Sequence, residues 1–203
     1  MSKTLAQIYD GFAKTYEQNR GLFDMTEVFE TFYKCLLVKQ GDALDLGCGA
    51  GEPFSRFFVD KGWSVTGVDF SESMLALACE YVPEMKTIHA DMSEVDFAAD
   101  SFDAITAAYS LFHVDKAKHA ELFQKMYGWL RSDGKMLFTY ATVAYTGSPE
   151  FSGSKVFLGE ALFYSHVTPE QLTDMLTRIG FSIDSMVERE IGGETFLWVT
   201  VGK

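Results

Sequence analysis

Ala43-Leu44-Asp45-Leu46-Gly47-Cys48-Gly49-Ala50-Gly51-Glu52-Pro53 carries an apolar strand that meets an acid, breaks into glycines and leads into a helix. Glycines there let the backbone turn sharply and let a ligand touch the main chain with no Cβ in the way. A second apolar run, Ser64–Val68, ends at Asp69, at about the twenty-residue interval that separates a glycine loop from its ribose-binding acid. The pairing reads as a nucleoside site. The loop meets one part of the ligand, and the Asp69 carboxylate takes the ribose hydroxyls.

The loop also restricts which nucleoside fits. In the dinucleotide fingerprint G-x-G-x-x-G, a pyrophosphate rests on the helix N-terminus. Gly47 and Gly49 hold the first two positions, but the last is Glu52, and Pro53 follows. A carboxylate at the helix mouth suits the helix dipole but repels a pyrophosphate. Proline has no N–H to offer an anion. The loop therefore favours a ligand without phosphates, and S-adenosylmethionine is such a ligand.

Composition narrows the class. The chain has 203 residues, 47% of them hydrophobic, and a formal charge of −12, which suggests one domain over residues 1–203 with a substantial core. Nucleic-acid binding is not expected, because backbone affinity comes from lysine and arginine and no cluster of either is visible. Cys35, Cys48 and Cys79 form neither a disulfide framework nor a zinc pattern. Cys35 and Cys79 read as helix packing residues, and Cys48 as a small loop residue. No signal peptide or membrane-length run is seen, so a cytoplasmic location without membrane association is the expectation. No metal is expected, and the oligomeric state is not legible.

Spacing gives the remaining elements. Leu5, Ile8, Tyr9 and Phe12 mark one amphipathic helix, and Phe29, Phe32, Tyr33 and Leu36 a second. Together they form an N-terminal helical cap over residues 1–40. Ser71 reads as the N-cap of a helix carrying Met74, Leu77, Ala78 and Tyr81. Thr87–Ala90, Ala104–Ala108 and Lys135–Tyr140 read as strands, with a helix between Asp115 and Leu130. Regular alternation lapses from Thr142, and residues 142–167 read as a substrate lid. Thr168-Pro169-Glu170-Gln171 is a capping box that opens a helix ending at Gly180. Strands near Phe181–Met186 and Thr195–Val201 flank the turn signal Gly192-Gly193. Such alternation gives a Rossmann-like, doubly wound, mostly parallel α/β sheet.

With these residues placed, the chain resembles the class I S-adenosylmethionine-dependent methyltransferases, in particular the small single-domain type acting on small molecules. The likeness rests on Leu44–Gly51, Gly67-Val68-Asp69-Phe70-Ser71, Ala90-Asp91-Met92 and Leu130-Arg131-Ser132-Asp133-Gly134-Lys135, in that order. It implies seven strands with the last antiparallel, and N-terminal helices covering the cofactor. It also implies that Gly47 and Gly49 pass against the methionine part and the ribose. Asp69 would accept the ribose hydroxyls, and Phe70 and Met74 would flank the adenine. Asp91 would accept the adenine amino group, and the backbone N–H of Met92 would meet a ring nitrogen. Asp45 would anchor the glycine loop and sit near the ligand's ammonium. Tyr16 and Arg20 would reach the methionine carboxylate.

The implied chemistry is methyl transfer to a small-molecule acceptor by in-line displacement. His113 is the candidate base and Tyr109 lines the methyl site; both leave the C-terminal end of the fourth strand, where ligands of open α/β sheets bind. His166 is a second candidate base. Plainer readings stand beside these: a turn residue at Asp69 or Asp91, a core aromatic at Tyr16, a surface charge at Arg20, a structural histidine at His113. Tyr145, Phe157, Phe163 and Tyr164 either shape an acceptor pocket or simply fill a core. Two other classes remain as alternatives, a non-catalytic nucleoside-binding protein and an NAD(P)-dependent oxidoreductase. The oxidoreductase predicts glycine where Glu52 stands.

Overall fold

The computed structural model describes residues 3–15 and 24–203. Five parallel strands form the centre of the sheet: β1 (Asp42–Leu46), β2 (Ser64–Asp69), β3 (Lys86–His89), β4 (Phe102–Ala107) and β5 (Leu130–Tyr140). The chain then leaves the sheet for a separate two-stranded hairpin, β6 (Phe151–Phe157) and β7 (Glu160–His166). It returns as β8 (Ser182–Ile191) and β9 (Glu194–Gly202). The seven-stranded order is β3-β2-β1-β4-β5-β9-β8. β9 runs antiparallel to both β5 and β8, as the resemblance implied.

Neighbouring residues of each central strand feed opposite cores, because successive side chains point to opposite faces. Leu44 and Ile105 pack with Leu122, Phe123 and Met126 of α5 (Lys116–Trp129) and Leu172 and Leu176 of α7 (Pro169–Ile179). Ala43 and Ala104 face the other way. They join Phe29 and Phe32 of α2 (Thr26–Cys35), Phe54 and Phe58 of α3 (Phe54–Asp60), and Ala78 of α4 (Glu72–Tyr81). Burial on both faces explains the unbroken apolar runs. Each buried phenylalanine contributes about 1.5–3 kcal/mol. A third cluster lies under the hairpin, where Ile8 of α1 (Leu5–Ala13) meets Phe112, Leu162, Tyr164 and Phe196.

The helix starts follow their sequence signals. The Ser71 hydroxyl accepts from the Met74 amide at 3.1 Å. Thr168 and Gln171 form the reciprocal capping box, at 3.3 and 2.9 Å. Thr4 and Gln7 form a second one at α1, which the sequence reading passed over. At the far end of the sheet Arg131 links the starts of three strands, pairing with Asp42 at 2.9 Å and with Asp103.

Three expectations need correction. The first is the stretch after Thr142, which is regular: the short helix α6 (Val143–Thr146) leads into the β6–β7 hairpin. The alternation was hidden because Gly153 and Lys155 share the half-buried face of β6 with Phe151 and Phe157. Leu158 and Gly159 close the turn, both at positive φ (+49° and +83°), a tight-turn geometry usually signalled by Asn-Gly or Asp-Gly. The second is Leu130, which opens β5 instead of ending α5. The third concerns Cys35 and Cys79, which sit on helices but are exposed. Among the described residues no helix is long and apolar enough to cross a membrane.

Replacing Thr168 with alanine removes one half of the α7 capping box. Urea unfolding of Thr168→Ala should show a loss of about 1 kcal/mol with an unchanged denaturant slope.

Candidate functional site

Strand order reverses between β1 and β4, and a crevice opens at the C-terminal ends of those strands, as open α/β sheets require. The loop after β1 crosses the end of β2, where Gly47 and Cys48 both donate to the Val68 carbonyl, at 2.7 and 3.1 Å. Asp69, only 8% exposed, then holds two elements at once. Its Oδ2 accepts from the Gly49 amide at 2.9 Å, and its Oδ1 accepts from the Ser71 amide at 2.8 Å. Burial raises this carboxyl above the usual range, against the lowering effect of those two amides. Each oxygen keeps acceptor capacity beyond these bonds.

The two glycines of the loop do different work. Gly49 lies at φ +52°, and a Cβ built there would meet nothing within 4 Å, so its bare backbone is open to the cavity. At Gly47 a Cβ would stand 2.3 Å from that of Ser110. Packing against the end of β4, not ligand approach alone, therefore requires Gly47. Ser110 is itself fixed by donating to the Leu46 carbonyl at 2.7 Å.

Asp45 is fully enclosed. It accepts from the Ser55 hydroxyl at 2.6 Å and the Thr106 hydroxyl at 3.0 Å. Burial pushes its pKa up to about 6. Its hydrogen bonds join β1 to α3 and β4 and do not reach the amides of the glycine loop, so the expected loop anchor is a clamp on the helix beyond the loop.

The cavity enclosed here measures about 640 Å³. Of the predicted residues it brings together Asp45, Gly47, Gly49, Asp69, Phe70, Met74, Tyr109 and His113. Asp91 and Met92 line a neighbouring cavity of about 240 Å³, and Phe70, Ser110 and His113 border both. The expected adenine group is thus divided across Phe70. Asp91 also makes a local turn, accepting from the amide and hydroxyl of Ser93 at 2.8 Å. Tyr16 and Arg20 lie outside the described residues.

His113 is held on both ring nitrogens. Nδ1 lies 2.6 Å from the Phe163 carbonyl, and Nε2 lies 2.8 Å from the Tyr9 hydroxyl. A carbonyl only accepts, so Nδ1 carries the proton and Nε2 receives the Tyr9 O–H. Burial lowers the histidine pKa to about 4. The ring is a neutral strut between β7 and α1, with its one basic nitrogen covered. His166 is buried and lines neither cavity; it bonds the Thr146 hydroxyl at 2.8 Å and the Val167 carbonyl at 3.0 Å. It braces the hairpin and is not a candidate base. Tyr109 stands at φ +54°, an uncommon conformation that clusters at functional sites. Its amide donates to Thr139 at 2.6 Å, and its ring meets Phe196 and Trp198 edge-on.

Residues that sequence reasoning did not place complete the cavity: Tyr9, Phe112, Glu194 and Phe196. Of the aromatic set in the hairpin region, Phe157 and Tyr164 line it. Tyr145 stands behind, its hydroxyl 3.1 Å from that of Tyr164, and Phe163 borders the smaller cavity. Helix α1 lies over this space and is tied on three sides. Asp10 accepts from the Ser71 hydroxyl at 2.6 Å and the Ser73 amide at 3.2 Å, Tyr9 reaches His113, and Lys3 pairs with Glu160 of β7.

Residues 43–134 match a family model described as a methyltransferase domain. A Bacillus subtilis protein named "Putative methyltransferase YqeM" is 32% identical over 138 residues. That match covers 64% of this chain and 54% of the relative, so the chain spans about half the length of that relative. Among solved structures, Burkholderia thailandensis 1,6-didemethyltoxoflavin-N1-methyltransferase, determined with its acceptor and S-adenosylhomocysteine bound, is 18% identical at a TM-score of 0.71, covering 100% of this chain and 92% of its own. The [4+2]-cyclase SpnF, 16% identical, superposes at a TM-score of 0.77 over 100% of this chain and 97% of its own. At these identities the two structures share the fold.

The imidazole geometry fixes a titration. In nitrogen-resolved NMR, His113 should hold the Nδ1–H neutral tautomer down to about pH 4, and a midpoint near 6.5 would contradict the buried Tyr9 contact. Between those values the unfolded chain binds a proton that the folded chain does not. His113 therefore withdraws stability as pH falls through that window. Asp45, raised to about 6, acts in the opposite sense, so the site-resolved measurement is the one to make.

Proposed function

We propose a methyl-transfer reaction for this chain, which belongs to the class I S-adenosylmethionine-dependent methyltransferases. The observation that carries the reading is the buried Asp69 carboxylate, aimed into a cavity beside the bare backbone of Gly49. S-adenosylmethionine, when bound, supplies a methyl group on a positively charged sulfur. The residues present fit that cofactor. Asp69 takes the ribose hydroxyls with the acceptor capacity its two amide contacts leave. Gly49 would leave room for the ribose and methionine portion, and Asp45 would sit near the ammonium. Phe70 and Met74 would flank the adenine, while Asp91 and Met92 line the neighbouring cavity.

Charge supports the same reading. Asp45, Glu52, Asp60 and Asp69 border the larger cavity, with Arg56 the single Lys or Arg among its described lining residues. Arg56 is engaged by Asp60 at 3.2 Å and Glu84 at 3.4 Å. Such a surface repels a pyrophosphate and welcomes a sulfonium and an ammonium. An NAD(P) cofactor is disfavoured on that ground.

The protein's task is then alignment. Holding an acceptor in line with the methyl is worth about 7–11 kcal/mol. Helix α1 and the β6–β7 hairpin act as the lid that keeps water out, and Tyr109 lines the methyl site. His113 serves as a positioning residue for α1. We propose a small-molecule acceptor and a cytoplasmic reaction.

Calorimetry should give one site for S-adenosylhomocysteine, weakened by about 1.5–3 kcal/mol, or about 10- to 150-fold, in Asp69→Ala. Binding of NADH in place of S-adenosylhomocysteine would reverse the assignment. An acceptor screen with products identified by mass separates methyl transfer from a rearrangement of the kind named for the cyclase neighbour, because only transfer adds the mass of a methylene.

A further inference from the structure

We propose that the methyl acceptor is a small amine, drawn as its ammonium to the Glu194 carboxylate at the aromatic end of the larger cavity. The inference rests on the methyltransferase reading and names the substrate class of that site. Glu194 opens β9 immediately after the Gly192-Gly193 turn and borders the cavity. The rings of Tyr9, Tyr109, Phe157, Tyr164 and Phe196 border it too. Aromatic faces attract cations, most strongly where water is excluded. A carboxylate within an aromatic wall is suited to an ammonium and opposed to an anion.

Among the described residues Glu194 has no cation of its own. No lysine or arginine among the described residues forms an ion pair with it, and Arg56, the one cavity-lining Lys or Arg among them, is engaged by Asp60 and Glu84. Its partner is the Tyr145 hydroxyl, which also bonds Tyr164. That contact is to a neutral group, and no described cation balances the carboxylate. Burial raises the Glu194 carboxyl above the usual range, because desolvation penalises its charged form. An arriving ammonium supplies the missing charge. The same oxygen can take up the proton that the nitrogen must release before its lone pair is free.

The test uses the whole chain saturated with S-adenosylhomocysteine and probes matched in shape. Benzylamine and butylamine are compared with benzyl alcohol, butanol, benzoate and butyrate by calorimetry. The amines should bind at least tenfold more tightly than the alcohols, with the carboxylates weakest. Glu194→Gln should erase the preference for amines while S-adenosylhomocysteine affinity stays within twofold, and Glu194→Asp should restore part of it. Amines that bind no better than the alcohols in the wild type, or a preference that survives Glu194→Gln, would overturn the proposal. The wild-type comparison stands even if a variant folds poorly. Failure of S-adenosylhomocysteine itself to bind removes the methyltransferase reading, a result distinct from loss of amine selectivity.

Discussion

The site is organised around the burial of one carboxylate. Asp69 leaves the end of β2 and fastens the glycine loop through Gly49 and the start of α4 through Ser71. The Ser71 hydroxyl then donates to Asp10, which brings α1 down over the same place. Loop, helix start and covering helix are therefore positioned from a single acid. A buried charge is costly unless it is hydrogen-bonded, and the amides meet only part of its demand. What remains is directed into the cavity.

The sheet was legible because a strand buried on both faces has to be largely apolar, with polar exceptions paired as Asp45 is with Thr106. Ala43–Leu46 and Ala104–Ala107 carry that signature, and the Gly192-Gly193 pair announced the antiparallel return of β9. The hairpin was not legible. The half-buried face of β6 sets Gly153 and Lys155 between Phe151 and Phe157, and Leu158 takes a backbone conformation usually left to glycine or asparagine. Local pattern reading fails where the surroundings, not propensity, hold the residue in place.

The site divides along the same line. Asp69, Gly49 and Asp45, which line one cavity, could be named because an acid at a strand end and a glycine loop recur at a recognisable interval. Tyr9 and Glu194 could not, because they come from opposite ends of the sequence and meet only once α1 and the β8–β9 turn have folded over the crevice. His113 was found by position, but the sequence left a base and a structural histidine both open: its surroundings make it neutral and doubly bonded, which no motif conveys. Asp45 shows another limit: it borders the cavity, yet its hydrogen bonds run to Ser55 and Thr106 and not to the loop beside it.

The hairpin β6–β7 belongs to no strand of the main sheet. It leaves after β5 and rejoins at the capping box of α7. Its exchange for another insert would leave every rung of the seven-stranded ladder in register. The fold thus separates inheritance from diversification: the main strands cannot shift, while the stretch of cavity wall that carries Phe157 and Tyr164 hangs on a segment that evolution or a protein engineer can swap.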